Sequence, residues 1–249
     1  MKTSIALITG GTGGIGTAIC QQLSKAGMKV VATCYSKDDN SDKINDWLGE
    51  QQKSGYDFSV FPINVEDFDA CAKTISAIEE AIGPIDVLVN NAGITRDGQL
   101  KNMSSEQWQA VMRTDLDGIF NVTRQIINGM IERHYGRIVN ISSVNGQKGQ
   151  FGQTNYSAAK AGVHGFTMAL AQEVAKKGIT VNTVSPGYVG TELVMAIAED
   201  IRNKIIAQIP VGRLGEPHEI ARVAAFLASP DSGYITGSDL SINGGLHMC

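Results

Sequence analysis

The stretch IALITGGTGGIG, residues 5–16, joins four apolar residues to a cluster of glycines. A short apolar run, glycines and then an amphipathic segment predict a strand, a tight turn and a helix. Glycines at such a turn allow close approach of the backbone to a phosphate, and the helix N-terminus attracts a pyrophosphate. This order of elements predicts a dinucleotide site, and a merely flexible turn is the alternative. The cofactor contacts predicted here are Gly10, Thr12, Gly13, Gly14, Ile15 and Gly16.

The same alternation of short apolar runs and longer amphipathic stretches continues along the chain. Strands are predicted at 4–9, 29–33, 57–63, 85–89, 136–141, 180–184 and 239–242, and helices at 14–26, 42–54, 67–82, 105–133, 155–177 and 216–228. Several strands are continuously apolar, which is typical of parallel strands covered on both faces. The pattern predicts an α/β fold in one domain, residues 1–249: a Rossmann-like, doubly wound, parallel seven-stranded sheet with helices on both faces. Ligands of such sheets bind beyond the carboxyl ends of the strands.

Composition excludes several classes of protein. The 249 residues include 25 acidic and 21 basic side chains, a net charge of −4, whereas nucleic-acid binders usually carry a basic excess. No apolar run reaches the roughly 18 residues of a membrane span, and the N-terminal run is too short for a signal peptide. The cysteines show no metal-ligand spacing: Cys20, Cys34, Cys71 and Cys249. We expect a cytoplasmic protein with reduced thiols, no metal, and neither a nucleic-acid nor a membrane partner.

The end of the second strand bears on the choice between NAD and NADP. NAD-binding folds commonly carry an acidic residue here that accepts the ribose hydroxyls, but Cys34 occupies that place. Without a carboxylate a 2′-phosphate is not repelled, and Ser36 and Lys37 can bind it, which favours NADP. Asp38 and Asp39 keep NAD open as an alternative. The cofactor contacts predicted here are Tyr35, Ser36 and Lys37.

Polar residues also follow the third and fourth strands. Asn64 can bond the edge of an adenine that rests against Val65, and a helix N-cap is the alternative for Asn64. The fourth strand is followed by two amides and two small residues, which suit a tight turn against a flat ligand. The cofactor contacts predicted after this strand are Asn91, Ala92 and Gly93.

The predicted chemistry depends on Ser143, Tyr156 and Lys160. Tyr156 and Lys160 are four residues apart, so they share one face of a helix. A tyrosine ordinarily titrates near 10, and a neighbouring ammonium lowers that pKa. Ser143 can hydrogen-bond a carbonyl oxygen beside the phenol. Seen alone, this spacing is usually an ordinary helix face.

Taken together, these motifs resemble the short-chain dehydrogenase/reductases over essentially the whole chain. The resemblance rests on Thr9-Gly10-x-x-x-Gly14-x-Gly16, Asn90-Asn91-Ala92-Gly93, Ser143, Tyr156-x-x-x-Lys160 and Pro186-Gly187. Ser143 precedes Tyr156 by 13 residues, as in the family. The resemblance implies a catalytic role for Ser143, Tyr156 and Lys160. It also implies cofactor contacts from Tyr156, Lys160, Pro186, Gly187, Tyr188 and Val189.

Three stretches resemble the branch of this family that reduces acetoacetyl-CoA, namely 91–97, 144–156 and 243–248. This resemblance implies NADPH-dependent reduction of acetoacetyl-CoA to (R)-3-hydroxybutyryl-CoA in polyhydroxybutyrate synthesis, by a homotetramer. The substrate contacts that it implies are Asp97, Gln150, Phe151, Gly152, Gln153 and Tyr188. The apolar segment at about 188–210 is interpreted as a lid over the acyl chain, with an ordinary surface helix as the alternative.

One position departs from the family. The long central helix usually carries an asparagine that supports a water relay to the active-site lysine, but the place falls on Asp115. A carboxylate there is expected to make Lys160 hold its proton more firmly. Asp115 is therefore kept as a candidate catalytic residue.

Three other functions remain open from the sequence. A 3-oxoacyl-[acyl-carrier-protein] reductase performs the same chemistry, and its acidic carrier needs a basic patch near the cleft. The candidates for that patch are Arg96, Lys101, Lys148 and Arg213, which can equally meet the phosphates of CoA. A non-catalytic NADP-sensing protein and a reductase of sugars or steroids on the same scaffold are the other two.

Overall fold

A parallel sheet forms the core of the molecule in a computed structural model that describes residues 3–35 and 41–248. Within these residues its strands are β1 Ile5–Ile8, β2 Lys29–Cys34, β3 Ser59–Pro62, β4 Val87–Asn90, β5 Gly136–Ile141, β6 Ile179–Pro186 and β7 Asp239–Ile242. The strand order is β3-β2-β1-β4-β5-β6-β7, and each neighbouring pair is parallel. The predicted seven-stranded, doubly wound fold in one domain is confirmed.

Helices cover both faces of the sheet. They are α1 Gly14–Lys25, α2 Ser41–Lys53, α3 Phe68–Ala81, α4 Ser105–Met112, α5 Gly118–Arg133, α6 Val144–Lys148, α7 Thr154–Val174, α8 Glu192–Met195, α9 Glu199–Ile206 and α10 Pro217–Ala228. Buried residues of α1 and α10 pack on one face of the sheet, and those of α3, α5 and α7 pack on the other. This double coverage explains why strands such as β1, β4, β5 and β6 are buried along their whole length.

The predicted single helix at 105–133 is wrong. A π-helical turn, Arg113–Asp117, separates α4 from α5. A carboxylate oxygen of Asp115 accepts a hydrogen bond of 2.9 Å from the backbone N–H of Ile94, so the loop after β4 holds this turn. A single π-helical turn hardly changes the hydrophobic period of 3.6 residues, so the sequence pattern does not reveal it. Such turns are frequent at functional sites. The short helices α6, α8 and α9 were also not predicted.

The topology brings distant segments of the chain to one edge of the sheet. β1 pairs with both β2 and β4, and the chain order reverses between β1 and β4. The loops that follow β4, β5 and β6 therefore meet beyond the carboxyl ends of the strands. A cavity of about 590 Å³ opens there.

Candidate active site

Most residues predicted to contact the nicotinamide or the substrate line this cavity. From the predicted set the walls contain Ile15, Asn91, Gly93, Asp97, Ser143, Gln153, Tyr156, Lys160, Pro186, Gly187, Tyr188 and Val189. The described residues of the set outside its walls are Gly10, Thr12, Gly13, Gly14, Gly16, Tyr35, Asn64, Val65, Ala92, Asp115, Gln150, Phe151 and Gly152. Ser36 and Lys37 lie outside the described residues.

Ser143, Tyr156 and Lys160 all line this cavity. Ser143 is the N-cap of α6, and its hydroxyl accepts a hydrogen bond of 3.1 Å from the backbone N–H of Asn145. Tyr156 and Lys160 lie on α7, where the Lys160 Nζ stands 5.5 Å from the centre of the Tyr156 ring. The Nζ also donates to the carbonyl of Ile141 at 3.1 Å. A phenol, a hydroxyl and an ammonium thus converge on one opening.

Lys160 forms a buried ion pair with Asp115. Its Nζ lies 3.2 Å from an Asp115 carboxylate oxygen, and that side chain is 0% exposed. Burial disfavours the charged form of Lys160, but Asp115 and Tyr156 favour it, and the pKa of Lys160 is raised above its ordinary value. This confirms the expectation that a carboxylate here makes the lysine hold its proton. Burial raises the pKa of Asp115, against the opposing effect of Lys160.

The pKa of Tyr156 is raised above its ordinary value of 10.0. Burial of the phenol is the largest cause of this rise, and the side chain is half-buried. Lys160 lowers this pKa as predicted, but the effect of burial exceeds it, and the charge of Asp115 acts in the same direction as burial. The prediction of a lowered pKa is therefore wrong in its net direction. Tyr156 is held in its protonated form, which can donate a proton.

The N-terminus of α1 fits the phosphates of a dinucleotide. Its N-cap is Gly13, no side chain caps it, and its first turn holds no acidic residue. By contrast, α3 and α4 are capped by the side chains of Asp67 and Ser104. The free N–H groups of α1 are therefore available to an anion. Gly10 adopts φ +61°, and a Cβ there would stand 3.0 Å from the backbone of Ala92, so the turn requires glycine.

Asn91 joins the loop after β4 to this glycine turn. Its side-chain amide donates to the carbonyls of Thr9 at 3.0 Å and Gly10 at 3.1 Å. The hydroxyl of Thr9 accepts hydrogen bonds from the backbone N–H groups of Asn91 and Ala92. Thr9 therefore fixes the geometry of both loops. This role was not predicted from the sequence.

The residues predicted to bind the adenine end of the cofactor lie outside the cavity walls. The side-chain oxygen of Asn64 accepts a hydrogen bond of 3.2 Å from the N–H of Glu66, while the N-cap of α3 is Asp67. The alternative of a helix N-cap for Asn64 is therefore wrong. Val65 is 8% exposed and packs against the position of Gly118, and Tyr35 is half exposed.

A hydrogen-bonded chain forms the substrate side of the cavity. Asn145 donates to the side-chain oxygen of Gln153 at 2.8 Å, and Gln153 donates to Asp97 at 2.9 Å. These bonds set the orientation of the Gln153 amide. Asn145 lines the cavity and was not predicted, and its place two residues after Ser143 is the signal that could have found it.

The rest of the predicted substrate loop faces away from the cavity. Phe151 is 80% exposed, and the side-chain oxygen of Gln150 accepts a hydrogen bond from Lys148 at 3.0 Å. Gly152 accepts a backbone hydrogen bond from Gly98. An isolated parallel bridge between Gly98 and Gln153 attaches the end of this loop to the segment after β4.

Apolar residues of the segment after β6 form another wall. The cavity is lined by Leu193 and Val194 of α8 and by Ile197 in the turn that follows. Leu193 is nonetheless 70% exposed, and Met195 is half exposed. An apolar surface over the cavity that is only half covered fits a segment that packs against a ligand.

The basic residues near the cavity differ in how free they are to bind an acidic carrier or the phosphates of CoA. Arg213 forms a two-pronged ion pair with Glu219, with bonds of 2.7 and 2.8 Å. This pair lowers the pKa of Glu219 to about 2, through hydrogen bonds from Arg213 and from the backbone of Glu216. Arg96 lines the cavity and is exposed. Arg213 is therefore a weaker candidate for a carrier or for CoA phosphates than Arg96.

Membrane-spanning helices and metal-binding clusters are both absent from the described residues. No helix among them is long and apolar enough to span a bilayer. In residues 3–35 and 41–248, no group of three His, Cys, Asp or Glu side chains is arranged to hold a metal ion.

Comparison with known proteins agrees with this geometry. The sequence pattern of the family described as short chain dehydrogenase matches residues 4–202. The chain is 58% identical to the acetoacetyl-CoA reductase of Cupriavidus necator over 248 residues, which cover 100% of both chains. It is 55% identical to nodulation protein G of Azospirillum brasilense, with 99% of each chain covered. The 3-oxoacyl-[acyl-carrier-protein] reductase of Vibrio cholerae is 44% identical, with 100% of this chain and 99% of that one covered.

Proposed function

This chain belongs to the short-chain dehydrogenase family, and on that premise we propose that it reduces acetoacetyl-CoA to (R)-3-hydroxybutyryl-CoA with NADPH, in polyhydroxybutyrate synthesis. The observation that carries the proposal is the buried ammonium of Lys160, which lies beside Tyr156 and 3.2 Å from a carboxylate oxygen of Asp115. Lys160 and Tyr156 line the same cavity as Ser143. The substrate is suggested by a relative at 58% identity named for that reaction.

The chain's own residues supply the proton and the oxyanion contacts. Tyr156 donates its phenolic proton to the 3-keto oxygen, and Ser143 donates a hydrogen bond to the same oxygen, so both meet the negative charge that develops there. Lys160, kept charged by Asp115, stabilises the phenolate that remains. A bound reduced nicotinamide supplies the hydride to the keto carbon.

The cofactor is held by the elements at the carboxyl edge of the sheet. The uncapped N-terminus of α1 would bind the pyrophosphate, and the loops after β4 and β6, which line the cavity, would hold the nicotinamide. Lys160, which lines the cavity, would hydrogen-bond the nicotinamide ribose. The choice of NADPH over NADH rests on the sequence at the end of β2, where Cys34 stands in place of an acidic residue and Lys37 follows.

The substrate lies between the loop after β4 and the segment at about 188–210. Gln153 and Asp97 line the cavity and would contact the acyl group, and Tyr188, also in the lining, would lie near both the nicotinamide and the substrate. Leu193, Val194 and Ile197 give the segment its apolar inner surface, so it acts as a lid over the acyl chain and pantetheine arm. Gln150, Phe151 and Gly152 contact the substrate at the rim of the cavity.

One experiment tests the substrate and the cofactor together. We expect NADPH oxidation with acetoacetyl-CoA to exceed both the rate with acetoacetyl-carrier protein and the rate with NADH, compared as kcat/KM. Faster reaction with the carrier protein would instead favour the fatty-acid reductase. Binding of NADPH without turnover of either thioester would favour a sensing protein and would contradict the proposal.

The raised pKa of Tyr156 predicts opposite pH dependences for the two directions. Reduction needs the protonated phenol, which predominates below its pKa, so kcat should stay flat from about pH 6 to 9. Oxidation of 3-hydroxybutyryl-CoA needs the phenolate, so its rate should rise up to about tenfold per pH unit over that range. Asp115→Asn removes one cause that raises this pKa and should move the oxidation profile to lower pH. A reduction rate that falls near pH 7 would contradict this assignment.

We also propose that the protein acts as a cytoplasmic homotetramer. Phe68 and Phe120 support an assembly, because they are 42% and 49% exposed and their rings stack 6.0 Å apart on the outer surface of α3 and α5. An exposed aromatic pair of this kind is typical of a contact surface. Sedimentation equilibrium would measure the assembly state.

A further inference from the structure

A cluster of polar side chains joins α7 to the ends of β5, β6 and β7. It consists of Ser142, His164, Ser185, Asp239 and Gln147, here called the Asp239 cluster. His164 follows Tyr156 and Lys160 by eight and four residues, so all three share one face of α7. No functional role was predicted from the sequence for His164 or Asp239.

The hydrogen bonds of the cluster determine which nitrogen of His164 carries a proton. Ser142 donates its only hydroxyl proton to the carbonyl of Lys160 at 2.9 Å, and Ser185 donates its own to Asp239 at 2.6 Å. Both hydroxyls can therefore only accept from His164, whose Nε2 lies 2.9 Å from Ser142 and 3.3 Å from Ser185. Asp239 places a third acceptor 3.5 Å from the same nitrogen. Nε2 is the donor.

The cluster holds the segment around Ser143 from both sides. On one side, His164 binds Ser142, the residue directly before Ser143. On the other side, Gln147 of α6 donates to Asp239 at 2.8 Å, only four residues after Ser143. The carbonyl of Ile141, just before Ser142, accepts the hydrogen bond from Lys160. The catalytic serine therefore lies between two attachments to one group of side chains.

We propose that His164 and Asp239 are positioning residues that set the distance of Ser143 from Tyr156 and Lys160. The role rests on the proposed function, because it concerns the geometry of that reaction. His164 and Asp239 are partly buried, at 19% and 25% exposure, where hydrogen bonds are strong and an unpaired polar group is costly. Loss of the His164 donor leaves the Ser142 side chain with its bond to the Lys160 carbonyl alone, while the Ser142 backbone N–H still donates to Val184. The side-chain attachment on this side of the segment is then lost.

The test compares His164→Leu, which removes the donor, with His164→Gln, whose side-chain amide can place an N–H near the position of Nε2. With acetoacetyl-CoA and NADPH, we expect His164→Leu to lower kcat by about 10- to 100-fold with little change in the Kd of NADPH, since a misplacement of about 1 Å costs about 100-fold. His164→Gln should recover most of that loss. His218→Leu, a change of an exposed histidine on α10, is the matched control and should behave as the unaltered protein.

Two further readouts separate positioning from a loss of folded protein. The deuterium isotope effect on kcat, measured with NADPH labelled at the transferred hydrogen, should rise in His164→Leu because hydride transfer becomes slower relative to other steps. Fewer folded molecules would lower kcat and leave the isotope effect unchanged, which would overturn the proposal. Ser142→Ala, which also removes the bond to the Lys160 carbonyl, should lower kcat at least as much as His164→Leu. The double variant should be no worse than Ser142→Ala alone, because both changes interrupt one connection.

Hydrogen exchange tests the attachment without any substrate. The backbone N–H groups of Asn145 and Gly146, which bond the side chain and carbonyl of Ser143, should exchange faster in His164→Leu and at the original rate in His164→Gln. Unchanged exchange in His164→Leu would overturn the proposed positioning. If the unaltered protein turns over neither thioester, the proposed function fails, and this measurement still decides whether His164 holds the segment.

Discussion

Tyr156→Phe is expected to lower kcat for acetoacetyl-CoA reduction by about 10²- to 10⁴-fold, the usual contribution of a positioned proton donor. The change removes one hydroxyl and keeps the ring that lines the cavity and lies 5.5 Å from the Lys160 Nζ. The Kd of NADPH should change little, because the N-terminus of α1 and the loops after β4 and β6 remain in place. Fluorescence titration with NADPH and steady-state kinetics on the same preparation measure both quantities.

The control for this variant is Tyr56→Phe. The Tyr56 ring stacks on Phe58, with ring centres 5.5 Å apart, and Tyr56 does not line the cavity. Loss of its hydroxyl should therefore leave kcat unchanged. Near-normal turnover by Tyr156→Phe would remove Tyr156 as the proton donor and with it the proposed chemistry. A loss of NADPH binding in parallel with kcat would point to damage of the cofactor site instead.

Lys160→Met is expected to have a double effect, on activity and on stability. Turnover should fall below detection or nearly so, because no ammonium remains to stabilise the Tyr156 phenolate. The free energy of unfolding should fall by about 3–5 kcal/mol, since removal of one partner leaves the buried carboxylate of Asp115 uncompensated. Urea denaturation at neutral pH measures this loss.

A second substitution separates the two effects of Lys160→Met. Lys160→Met with Asp115→Asn removes the unpaired charge, and the asparagine oxygen can still accept from the N–H of Ile94. The double variant should regain much of the stability and none of the activity. Equal instability of the single and double variants would contradict the ion-pair argument.

The stability of Lys160→Met should also depend on pH. Burial raises the pKa of Asp115, and the change removes Lys160, the charge that opposes this effect. A carboxyl whose folded-state pKa is raised takes up its proton more readily in the folded protein than in the unfolded chain. The loss of stability should therefore be smaller near pH 5 than near pH 8. As a control, Lys176→Met, a change of an exposed lysine in the 3-10 turn just after α7, should show no such dependence.

The local pattern of the chain was sufficient to predict the architecture. The predicted strand at 136–141 coincides with β5, and the glycine cluster that opens at Gly10 precedes α1. These features depend on neighbouring residues, because strand and helix periods and glycine turns are local properties. The wrong element was the helix at 105–133, where the π-helical turn at Asp115 is held by Ile94 from another part of the chain.

The sequence by itself determined which residues meet: parallel strands deliver the ends of β4, β5 and β6 to one edge, so Ser143, Tyr156 and Lys160 had to converge there. Only the tertiary structure decided how these groups are charged. The upward shift of the Tyr156 pKa and the pairing of Lys160 with Asp115 follow from burial and from distances of a few ångströms. Desolvation and short-range charge depend on what surrounds a group in three dimensions, and spacing along the chain does not contain that information.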